Sequence, residues 1–223
     1  SQAGCDTLVE KIEVKKQERI DITVNFAVYS PPNAVAEKPV IYLYPAEKTE
    51  VSVSVKPAGE FLLTYPEYNN GWNVTAYPDG TIESAGKKYN YLFWEASVTS
   101  VLPDDKNIGS VVEKDNLMSF LESSLTAMGL TSKEQQDFIT YWYPQMAAND
   151  KNLVRFLVND ECNTVSTMQI MPEPDHVLRV YMVWMNAEGK DESSLQPQTF
   201  PTFTRSGFTV VEWGGMKMDI LGD

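Results

Sequence analysis

From residue 40 to residue 95 the chain is a succession of short runs of alternating or crowded apolar residues, several of them bounded by proline or glycine. VIYLYP, VSVSV, FLLTYP, GWNVTAYPDGTI and YNYLFWE follow one another in this way. A period of two places side chains on one face of an extended segment, which is strand geometry and not helix geometry. Pro78, Asp79 and Gly80 supply turn chemistry between two of these runs. Upstream, IDITVNFAV at 20–28 alternates without a fault and predicts a half-buried strand, with Ile20, Ile22, Val24, Phe26 and Val28 on one face. SPPNAVAEKP then reads as a loop or short linker, since Pro31, Pro32 and Pro39 deny ladder donors. Residues 20–101 are therefore expected to be strands and turns.

The period changes after residue 110. Leu117, Phe120, Leu121, Leu125 and Met128 fall at helical spacing, and Gly129 follows as a stop. Thr131 with Glu134 three residues on makes a capping box that restarts a helix, and Phe138, Ile139, Trp142 and Met146 continue it. Pro144 should kink or end that helix near Tyr143. Strand patterns return at LVRFLV, VSTMQIM, VLRVYMVWM and, after a polar loop, GFTVVEW. The expected fold class is α+β: a mostly antiparallel, sandwich-like β-sheet structure with a helical hairpin inserted around residues 115–148. One unit over residues 1–223 is expected, with a β-rich part at 20–101, the hairpin within 111–150, returning strands at 151–215, and a split near 110 as the alternative.

Composition narrows the partners. The formal charge of −13 disfavours nucleic acid and anionic membrane surfaces, both of which require clustered Lys and Arg. The acids are dispersed as a solvated surface would have them, without metal-cage spacing. No run approaches the 18 apolar residues of a transmembrane helix. No Gly-rich phosphate loop and no Cys/His cluster is present, so no cofactor and no metal is expected. Cys5 and Cys162 allow one intramolecular disulfide. The opening SQAGCD carries no apolar signal segment, so a processed or trimmed form is expected. AGC has the small-residue character of a lipoprotein cleavage site, which makes Cys5 a candidate lipid anchor, although Gln2 stands where such signals usually have Leu.

KPVIYLYP at 38–45, TYPEYNNGWNVTAYPDGTI, YNYLFWE, FITYWYPQM and the closing GFTVVEWGG occur in that order. Together, over most of residues 38–215, they resemble an uncharacterised family of bacterial proteins predicted to be secreted or surface-attached. The resemblance implies export and a bacterial source, and it brings no reaction, ligand or catalytic residue with it.

Two glutamates stand beside tryptophans at the ends of apolar runs, Glu95 beside Trp94 and Glu212 beside Trp213. Strand phasing puts Glu95 on a face with Phe93, Tyr91 and Tyr89, and Glu212 with Val210 and Phe208. An apolar setting raises a carboxyl pKa, and two carboxylates across a cleft are the minimal equipment of a glycosidase. The competing interpretation starts from Arg179, which shares a face with Val177, Tyr181 and Val183 and wants a carboxylate that Glu95 or Glu212 would supply. His176, the one histidine, has no nucleophile motif around it and reads as a loop or strand-edge residue. Tyr44, Tyr65, Glu67, Trp72, Trp94, Trp213 and Arg179 form the candidate binding set, with Tyr and Trp faces suited to stacking on sugars or docking a protein. The leading expectation is a non-enzymatic, exported binding module for a glycan or protein. The alternatives are a glycoside hydrolase using Glu95 and Glu212, and a structural accessory domain.

Overall fold

In the computed structural model, residues 34–98, 108–188 and 195–218 are described. Within them the strands are β1 (Ala34–Tyr44), β2 (Thr49–Pro57), β3 (Gly59–Tyr65), β4 (Trp72–Ala76), β5 (Ile82–Ser84), β6 (Lys87–Tyr89) and β7 (Leu92–Val98). A second set follows: β8 (Ser110–Glu113), β9 (Lys151–Val158), β10 (Ser166–Met171), β11 (His176–Asn186) and β12 (Thr209–Lys217). Helices α1 (Leu117–Met128) and α2 (Ser132–Met146) form the hairpin between β8 and β9. The strand expected at 20–28, and Cys5, lie outside the described residues.

The strands make two sheets. One has seven strands in the order β3-β7-β1-β12-β11-β9-β8, the other five in the order β10-β2-β4-β5-β6. Strands from before and after residue 110 share both sheets. Among the pairings of these strands, β11 and β12 run parallel and the others run antiparallel, and an isolated parallel bridge joins Ile108 to Gln196. The fold is thus α+β, mostly antiparallel and sandwich-like, with a short helical hairpin.

The seven-stranded sheet is covered on both faces, and alternation along its strands sorts side chains into two cores. On β1, Ile41 and Leu43 join a core shared with the five-stranded sheet, while Val40 and Tyr42 join one shared with the helices. On β11, Tyr181 and Val183 go to the first core and Leu178, Val180, Met182 and Trp184 to the second. Burial on both faces explains why β11 and β12 read as nearly unbroken apolar runs. Each large side chain buried completely, such as Trp94 or Trp213, contributes about 1.5–3 kcal/mol of transfer free energy. Gly215 permits a close approach of β12 to its neighbours: a Cβ there would lie 2.5 Å from the Met182 carbonyl oxygen and 2.8 Å from Cζ2 of Trp142.

The hairpin follows its sequence signals. Gly129 takes a left-handed conformation (φ 89°) after α1, and the Thr131–Glu134 capping box opens α2. Of the two outcomes expected at Pro144, a kink or an end near Tyr143, the end does not occur: α2 continues through Pro144 to Met146, within the expected 115–148 hairpin, and the Ala147 N–H donates to the Tyr143 carbonyl. A proline one turn from the C-terminus removes a single internal donor, and packing of Trp142 and Met146 on the sheet outweighs it. The short edge strand β8 and a 3-10 turn at Asn159–Thr164 have no counterpart in the sequence-based expectation.

Candidate functional site

The parallel pairing of β11 with β12 places Arg179 directly opposite Glu212, and both side chains leave the sheet on the face toward the five-stranded sheet. Arg179 Nε donates to Glu212 Oε2 at 2.6 Å. Its Nη1 donates to Asn163 Oδ1 at 2.9 Å, and Nη2 to the Ser166 carbonyl at 3.0 Å and to Ser166 Oγ at 2.8 Å. The other carboxylate oxygen, Oε1, accepts from Trp94 Nε1 and from the Tyr181 hydroxyl, each at 3.2 Å. Glu212 is 0% exposed and Arg179 is 6% exposed. Burial opposes the guanidinium charge, but Glu212 beside it more than reverses the effect and holds Arg179 above its ordinary value. Burial, with Glu212 adding to it, pushes the Tyr181 phenol well up, so the phenol stays a neutral donor. The network ties β7, β10, β11, β12 and the 3-10 turn together, and its carboxylate has no route to a ligand.

Glu95 lies on the opposite face of the same sheet. It is half-buried on the side of Tyr91 and Phe93, which pack toward the helices. Nearby, Glu37 Oε2 accepts from the Tyr141 hydroxyl at 3.1 Å. Burial raises the Glu37 carboxyl, the Tyr141 bond partly offsets this, and the charge of Glu95 raises it further. Lys38 Nζ sits 5.1 Å from the ring centre of Tyr91 and 5.2 Å from that of Phe93. The alternative in which Glu95 and Glu212 face each other across one cleft is therefore corrected: the sheet itself stands between them. Alternation fixes which residues share a face within a strand, and here both faces are apolar.

The aromatic candidates also divide. Trp72, Trp94 and Trp213 are buried in the cores and present no ring to a ligand, which corrects their place in the binding set, and Arg179 is committed to its own partners. Tyr44 is half-buried beside α2, with the Arg205 guanidinium carbon 5.6 Å from its ring centre. Tyr65 is 59% exposed and packs edge-on against Tyr89, and Glu67 is exposed beside it. His176 opens β11, where Nε2 lies 2.8 Å from Ser206 Oγ. Among the described residues Cys162 is a buried free thiol whose Sγ donates to the Leu157 carbonyl, so the Cys5–Cys162 pairing concerns a partner outside them.

Beside the Arg179 network the surface opens into a groove of about 830 Å³. Asn159, Asp160 and Asn163 of the 3-10 turn form one wall, and β10 from Met168 to Met171 forms another. Glu173 and Val177 complete it, with Arg179 at the inner end. Met171 and Val177 are exposed there, at 67% and 37%. With Arg179 paired to Glu212, the groove's remaining charge among the described residues is acidic, from Asp160 and Glu173. Sequence reasoning did not single out this turn; the available signal was NDECNT, an Asn/Asp-rich break between two strands.

No family model and no solved structure matches the chain. A stretch of 61 residues, 26% of the chain, is 54% identical to "Uncharacterized protein in bglA 3'region" from Butyrivibrio fibrisolvens. The match covers 64% of that relative's length, less than two thirds of it.

Proposed function

We propose that this protein is a non-enzymatic, exported bacterial domain that binds a glycan or protein ligand through the groove beside Arg179. The observation that carries the proposal is the composition of that groove. It is open and lined by amide and carboxylate side chains over an exposed Met171 and Val177, whereas the charged pair next to it is sealed. Ligand sites commonly combine an apolar floor with a few polar groups that fix orientation. The family resemblance supports export and a bacterial source, and the similar 61-residue stretch belongs to a bacterial protein. Anchorage through a lipid on Cys5 belongs to the same proposal.

The test combines a glycan array and an envelope-protein pull-down, using the wild type and the triple variant Asp160→Ala, Gln169→Ala, Glu173→Ala. All three positions are exposed, so the variant should melt as the wild type does. The expected result is a defined ligand captured by the wild type and lost by the variant. Empty results from both screens would leave the structural accessory domain as the better account. For the anchor, Cys5→Ser should release the protein from the envelope into the medium; unchanged retention would remove the lipid.

A further inference from the structure

The groove runs along the free edge of the five-stranded sheet, because β10 is the terminal strand there and pairs only with β2 among the described strands. The phase of that pairing can be read from the bonds around it. The Ala58 N–H donates to the Val165 carbonyl at 2.8 Å, and these residues continue the register in which Ser166 faces Pro57. Val165, Thr167, Gln169 and Met171 therefore turn their backbone groups toward β2, and Ser166, Met168 and Ile170 turn theirs away from it. Two independent contacts fit this phase. The Ser166 carbonyl points outward to Arg179 Nη2, and Val55 of β2 bonds through both backbone groups to the Tyr68 hydroxyl on the side away from β10. At Met168 and Ile170 the outward N–H and C=O groups have no partner among the described residues. Both residues line the groove.

Exposed edges are usually blunted by charge, proline or brevity. The other terminal strands show this: β6 has three residues and two lysines, β8 has four residues and ends in Glu113, and β3 carries Glu60. STMQIM of β10 has neither a charge nor a proline, and it is the edge that borders the groove. Its outward donors and acceptors repeat every second residue, about 6.8 Å apart, which is the repeat of a polypeptide backbone.

Resting on the groove reading above, we propose that the ligand is an extended polypeptide segment with a basic side chain, which adds to β10 as a further strand. Its backbone takes up the N–H and C=O groups of Met168 and Ile170, the mode of recognition in which main-chain bonds provide affinity and neighbouring side chains provide selectivity. Asp160 and Glu173 are exposed and without an ion-pair partner among the described residues, so they receive a Lys or Arg of the partner. Met171 and Val177 offer apolar contact to an alternate side chain.

The experiment selects phage-displayed random nonapeptides on the immobilised full-length protein, then resynthesises the winners. The first readout is amide exchange: binding should slow Met168 and Ile170 by about tenfold or more while Thr167, Gln169 and Met171, already bonded to β2, change little. In the second, single N-methylation along the peptide should abolish binding at alternate positions only. In the third, Asp160→Lys with Glu173→Lys should weaken the selected peptides by about tenfold and flatten their salt dependence. Failure to enrich peptides, protection elsewhere, or methylation effects without a period of two would each overturn the inference. If a glycan from the array occupies the groove and no peptide does, the inference fails while the binding-module proposal stands. If neither binds, both fail. If Met168 and Ile170 already exchange slowly in the free protein, the edge is closed by this chain or a second copy, and the inference is overturned; sedimentation separates those two cases.

Discussion

Replacing Glu212 by Gln removes one charge from the sealed pair while keeping its shape. Oε1 can still accept from Trp94 and Tyr181, but the new amide turns N–H toward Arg179 Nε, which now donates at 2.6 Å to Oε2. The guanidinium is left with Asn163 and Ser166 and no counter-charge, at 6% exposure. Breaking a buried pair from one side typically costs about 3–5 kcal/mol. The retained bonds place Glu212→Gln at the lower end, about 3 kcal/mol, which for a chain of this size is a melting-temperature loss of about 6–12 °C. Arg179→Met should cost about 4 kcal/mol, since it leaves the carboxylate buried without its cation. The double variant removes both charges and should recover part of the loss, giving a coupling energy of about 2 kcal/mol or more in a cycle measured by chemical denaturation. Simple additivity of the two losses, or a Glu212→Gln protein melting within about 1 °C of wild type, would refute the argument that this pair is a structural tie.

Three further expectations follow from the packing. Glu37 has its folded-state carboxyl raised above the ordinary value by burial, so its stabilising contribution is complete below the unfolded value and disappears as pH rises through the folded one. Glu37→Gln should therefore gain stability relative to wild type from about pH 4 upward, with the difference vanishing in more acid solution; denaturant titrations at several pH values check this, and a pH-independent difference would contradict it. Gly215→Ala should destabilise by about 1–3 kcal/mol, because the new Cβ meets the Met182 carbonyl and Trp142; a neutral effect in thermal melts would show that β11 and α2 can move apart. Burial pushes the Cys162 thiol up and keeps it from solvent, so peptide mapping after alkylation should find it unmodified until denaturant is added. Labelling of Cys162 in the native protein would show that its pocket opens.

Much of the architecture is legible in local pattern. Period-two runs marked most of the strands, 3.6-residue spacing marked the hairpin, and Thr131 with Glu134 marked the start of α2. These features are encoded by near neighbours in sequence, so a single chain displays them. At the end of α2 the sequence leaves a kink and a stop open, because the local cost of Pro144 is visible in it whereas the gain from packing Trp142 and Met146 is not. The 3-10 turn that walls the groove is not legible in sequence because its residues are polar and aperiodic, and they acquire a role only when β10 and β11 come beside them.

The sequence by itself determined that Glu95, Arg179 and Glu212 each lie on an apolar face of their own strand. Only the tertiary structure decided that Arg179 and Glu212 share one face of the sheet while Glu95 lies on the other. The physical reason is that alternation relates residues within a strand but carries no information about how one strand is registered against the next. In a sheet covered on both sides, an apolar neighbourhood no longer identifies which side a residue faces. Pairing of β11 with β12, set by contacts distant in the chain, turned one glutamate into a buried counter-ion, and β10 lies beside it with one edge unpaired among the described residues.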